Sequence, residues 1–96
     1  MSAGTGTRVY ARAAMPPSDE AIRAALLELA ARRGPARSFC PSDAARALAA
    51  QWRRLMPEIR RVAGALCDEG RLVAQQRGDP VDPRAARGPI RLRTPG

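Results

Sequence analysis

Residues 55–70 read LMPEIRRVAGALCDEG, residues 71–77 RLVAQQR, residues 78–89 GDPVDPRAARGP and residues 90–93 IRLR. This order decides the fold. In the first segment Ile59, Val62, Ala63 and Leu66 recur at i, i+3, i+4 and i+7, one apolar face of a helix. Pro57 suits its first turn and Gly70 its end. In the second segment Leu72, Ala74 and Gln76 alternate with Arg71, Val73, Gln75 and Arg77. In the last, Ile90 and Leu92 alternate with Arg91 and Arg93, a strand with one face buried. Between the two strands, residues 78–89 predict a long, proline-stiffened loop, too long for a tight hairpin tip. Asp82-Pro83 predicts a short helical turn inside it, running through Arg87.

Two further helices precede this stretch. Ser18 is a good N-cap, and Asp19 and Glu20 suit the positive end of a helix dipole. Ile22, Ala25, Leu26, Leu29 and Ala30 form the apolar stripe. Arg32 and Arg33 occupy the last turn, and Gly34-Pro35 stops it. Ser38-Phe39-Cys40 predicts a brief first strand that pairs with the later hairpin. Pro41 opens the second helix, with Cys40 or Ser42 as its cap. Ala45, Leu48, Ala49 and Trp52 give that helix its buried side, and it ends near Ala50. The predicted fold is therefore α+β: a three-helix, helix-turn-helix core with a C-terminal β-hairpin wing, a winged helix. The expected domain is 18–94, behind a flexible tail, 1–17, that lacks periodicity.

Composition limits the function. The 96 residues carry 17 basic and 9 acidic side chains, and every base is arginine. Coding bias explains arginine in place of lysine; the surplus of positive charge calls for a polyanion. No histidine or lysine is present, which removes Ser-His-Asp, Cys-His, Schiff-base and P-loop chemistry. Cys40 and Cys67 are too few for a zinc site and are expected as buried free thiols. Cys40 stands where a helix dipole favours thiolate, but no base is near it in sequence. An enzyme, a cofactor and a metal are not expected. The longest apolar run, Ala24 to Leu27, cannot span a membrane; no secretory signal is visible, so a cytoplasmic protein is expected.

The candidate contacts are arginines. With the core stripe inward, about 100° per residue turns Arg61 outward on the third helix, with Arg54 on the same side and Arg53 and Arg60 flanking. Gly64 lies near that face, where a small residue lets a helix approach a groove. Glu58 and Asp68 share the region and repel phosphate. In the wing, Arg77, Arg84 and Arg87 are placed to lie along phosphates. At the third helix's C-terminus Asp68 and Glu69 oppose the dipole, which nothing local explains.

Phe39-Cys40-Pro41-Ser42, Gly78 with Pro80-Val81-Asp82-Pro83, and Gly88-Pro89-Ile90-Arg91-Leu92 together resemble a family of short bacterial proteins known only as a domain of unknown function and similar to winged helices. The resemblance implies the fold over about Ser18 to Arg93 and implies no activity or binding residue. From the residues, the leading expectation is duplex DNA binding, with transcriptional regulation as the role. The alternative is a module docking an acidic protein; RNA is a third partner that the charge permits.

Overall fold

The computed structural model describes residues 16–96. All but the last two residues of the expected tail fall outside them. Among the described residues are three α-helices, α1 (Asp19–Arg33), α2 (Pro41–Leu48) and α3 (Met56–Asp68), followed by three strands, β1 (Val73–Gln76), β2 (Asp79–Pro80) and β3 (Arg91–Arg93). A 3₁₀ turn, Trp52–Leu55, joins α2 to α3. This α+β order is compatible with a winged-helix arrangement.

Local chemistry sets the helix ends. The Ser18 hydroxyl accepts a hydrogen bond from the Ala21 amide at 3.1 Å, satisfying one of the free donors of α1. Gly34 ends that helix at φ 77°. Cys40 occupies the N-cap of α2, and its amide donates to Asp43 Oδ2 at 3.2 Å. At the end of α3 the Gly70 amide donates to Cys67 O and the Arg71 amide to Leu66 O. This pair of bonds forms a Schellman motif around Gly70 at φ 76°.

The α2 boundary corrects the expectation for Trp52. Ala49 is extended, at φ −157° and ψ 149°. This ends the helix at Leu48, so Trp52 no longer follows its stripe. The indole lies half-buried on the 3₁₀ turn, against the rim of the core.

The sheet also differs from the expected single hairpin with a long connection. Arg77 and Gly78 both have positive φ, 54° and 87°, as a two-residue type I′ turn requires. The chain turns there and pairs Gln75 with Pro80 and Gln76 with Asp79. Only then does it enter the loop, where the expected turn is present but stops at Ala85, short of Arg87. In that turn the Ala85 and Ala86 amides donate to Asp82 O and the Arg84 amide to Asp82 Oδ1. β3 returns on the other side of β1, with Ala74 opposite Leu92, so the order is β2-β1-β3. The strands are shorter than the patterns 71–77 and 90–93. The expected strand at 38–40 reduces to Phe39, which exchanges two 2.8 Å backbone hydrogen bonds with Leu92.

Ile22 and Leu26 of α1, Phe39, Ile59 and Leu66 of α3, Ile90 just before β3, and Leu92 of β3 are fully buried together. Each such side chain contributes about 1.5–3 kcal/mol by leaving water. The stripes on α1 and α3 thus meet one face of the sheet. The cysteines correct a smaller point: both are free, but each is only half-buried.

Candidate nucleic-acid interface

The seven candidate arginines divide into two groups, and packing makes the division. Arg61 leaves α3 on its outer side, where α1 begins. Its guanidinium donates to Asp19 at 2.7 and 3.0 Å and, through Nε, to Glu58 at 3.0 Å. These bonds raise the Arg61 pKa well above the usual arginine value and lower that of Asp19. The outward direction is as expected; the guanidinium's donors are taken by carboxylates.

Arg84 is held in the same way from the wing. Its Nε donates to Asp82 at 2.8 Å, and its terminal nitrogens donate to Asp68 at 2.9 and 3.1 Å. To reach Asp68 its side chain crosses α3 directly over Gly64. A Cβ at position 64 would meet Arg84 Cδ at 2.7 Å and Cγ at 2.8 Å, closer than carbon atoms tolerate. Gly64 is buried. Its small size seats Arg84, a correction to the expectation that it opens the helix to a groove.

The acids that oppose the α3 dipole now have an explanation. Asp68 receives Arg84, and Glu69 receives Arg23 of α1 at 2.6 and 2.8 Å. The partners are 16 and 46 residues away in sequence, beyond the reach of any local pattern. Arg60, the third engaged candidate, donates to Ala86 O at 2.8 Å and Gly88 O at 2.6 Å. It fastens the loop to the helix.

Arg53, Arg54, Arg77 and Arg87 make no ion pair among the described residues. All four are exposed. Arg53 and Arg54 sit on the 3₁₀ turn that leads into α3. Arg77 is at the hairpin tip. Gln76 Nε2 donates to the carbonyls of Arg87 and Pro89, which brings residue 87 beside the hairpin. Arg60 anchors the same loop to α3. Within the candidate set, the unpaired charge therefore lies on the approach to α3 and on the hairpin and loop, around a helix face already occupied.

Arg46, on the last turn of α2, was not among the candidates. Its guanidinium carbon lies 4.5 Å from the centroid of the Trp52 ring, and that of Arg53 lies at the same distance. No sequence signal marks this contact, because it depends on α2 stopping at Leu48. A groove of about 310 Å³ beside the turn is lined by Cys67, Asp68, Val81, Pro83 and Arg84. Burial pushes the Cys67 thiol up from its ordinary value, which disfavours thiolate at neutral pH.

These ion pairs fix the sign of one pH effect. Arginine lowers the pKa of Asp19, Glu69 and Asp82 in the folded chain. Their stabilisation is complete above the unfolded carboxylate range, about pH 4, and is lost as pH falls through the lower folded values. The chain has no histidine. The melting temperature is expected to stay nearly level from about pH 8 to 5 and to fall below about pH 4. A decline already between about pH 6 and 5 would assign the acid sensitivity to other groups.

A family model described as Protein of unknown function (DUF3253) matches residues 19–95, and the chain belongs to that family. No curated protein matches the chain.

Proposed function

We propose that this member of the family is a winged-helix protein that binds duplex DNA along its phosphate backbone. One observation carries the reading: Arg53, Arg54, Arg77 and Arg87 have no carboxylate partner among the described residues, whereas the outer face of α3 is closed by Arg84 over Gly64 and by Arg61 on Asp19. Base readout needs a helix face free to enter the major groove. Phosphate contact needs only arginines at the surface, and it positions a protein without selecting sequence. The wing and the turn before α3 supply these. The same features favour a binding protein over an enzyme, since Asp68 and Asp82, the carboxylates beside the Cys67 thiol, are both held by Arg84.

The test is fluorescence anisotropy with labelled duplexes of unrelated sequence at ~50 mM salt. Micromolar or tighter binding is expected, with little difference between sequences. Four phosphate contacts predict a slope of log K against log salt of about −3 to −4. No anisotropy change at micromolar protein overturns the proposal. An acidic protein that co-purifies through these arginines, without DNA binding, would transfer the surface to protein docking.

A further inference from the structure

We propose that Arg46, Trp52 and Arg53 form a phosphodiester clamp in which a single indole holds two guanidinium groups ready for the backbone. The proposal rests on the duplex-binding reading and adds Arg46 and Trp52 to it. Both guanidinium carbons lie 4.5 Å from the ring centroid, within the range of cation–π attraction. Stacking uses the face of a guanidinium; its N–H donors lie in the plane, at the edge, and remain free to bond. Arg61 and Arg84 are oriented by carboxylates that consume those donors. Arg46 and Arg53 are oriented by a ring that does not.

The surrounding acids are engaged elsewhere. Asp43, on the same helix as Arg46, accepts the Cys40 amide and lies 3.7 Å from Arg33. Glu58, five residues beyond Arg53, is bonded to Arg61. Two like charges on one ring repel, and an anion that accepts from both guanidiniums relieves that repulsion. The adjacent Arg54 adds a third cation. Fixing the guanidiniums before binding lowers the ordering cost of contact. The phosphodiester is favoured over a lone phosphate because the reading that the clamp rests on adds exposed, unpaired Arg54, Arg77 and Arg87, which a single phosphate cannot engage together.

The chain has one tryptophan, so its emission reports this site alone. Unlabelled duplex is titrated into the full chain at ~50 mM salt while emission is followed. A saturating change with the midpoint seen by anisotropy is expected. Arg46→Gln with Arg53→Gln should weaken duplex binding about tenfold and reduce the salt slope by about 2. Trp52→Leu retains both charges; it should weaken binding about threefold and leave the slope unchanged, since only positioning is lost. Circular dichroism verifies that each variant is folded. Duplex binding with unchanged emission, and wild-type affinity in the double variant, overturns the clamp and leaves backbone binding standing. No duplex binding overturns both. Inorganic phosphate that reproduces the emission change at the same phosphate concentration as duplex overturns the assignment to a phosphodiester.

Discussion

Replacing Phe39 with alanine is expected to cost about 3–5 kcal/mol. A folded chain of this size has a total stability of roughly 4–12 kcal/mol. The loss is a large share of that total, and at the lower end of the range it unfolds the chain at room temperature. Phe39 is the only phenylalanine, and its side chain is fully buried among α1, α3 and the sheet. The cost belongs to the upper range because the site cannot collapse. The Phe39 backbone is pinned to Leu92 by two 2.8 Å hydrogen bonds, so the chain cannot move inward to fill the vacated space. Leu27, half-buried at the edge of the core, should lose much less on the same change. Urea denaturation followed by circular dichroism measures both. A loss below about 1 kcal/mol at Phe39 would show that the ring does not join the helices to the sheet.

The second large effect is on binding. Reversing Arg77 and Arg87 together, to glutamate, is expected to weaken duplex DNA binding about 10- to 100-fold at ~100 mM salt and to lower the salt slope by about 2. The proposed interface would lose two phosphate contacts, and each new carboxylate would repel the backbone. The fold should remain within about 0.5 kcal/mol, because both side chains are exposed and neither holds an ion pair among the described residues. Arg77→Asn separates charge from fold. Arg77 adopts φ 54°, which disfavours a long side chain and which asparagine before glycine accepts well. This variant should gain about 0.5–1 kcal/mol of stability while binding DNA more weakly. Opposite changes in stability and affinity would tie the binding loss to charge. An unaltered salt slope in the double reversal would remove the wing from the interface.

Much of the architecture was legible because helices announce their ends locally. Ser18, Gly34, Pro41, Pro57 and Gly70 each act on backbone groups within one turn. The stripe Ile59, Val62, Ala63 and Leu66 is likewise a matter of helical period, and all four residues are buried. The hairpin was less legible. Arg77-Gly78 is a poor match to the usual asparagine-glycine turn, so the sequence alone presents one continuous loop from Gly78 onward. Pairing of Asp79-Pro80 with β1 is short, and Pro80 weakens any strand pattern there.

The candidate site was legible as a set of charges and not as a set of available charges. Sequence by itself determined the helical order, the buried stripes, the excess of arginine and the lack of histidine- or lysine-based chemistry. These follow from residue type and spacing within a turn or two. Only the tertiary structure decided which arginines are engaged. Asp19 meets Arg61 across 42 residues, Glu69 meets Arg23 across 46, and Asp68 meets Arg84 across 16. Such partners meet only when α1 and the wing pack against α3. Gly64 accordingly changes from an opening toward DNA to the seat of Arg84. Arg46, unmarked in the chain, joins Arg53 on Trp52 because α2 stops at Leu48. Side-chain charge is a property of composition. Whether that charge is free depends on contacts between distant segments, and those exist only in the folded chain.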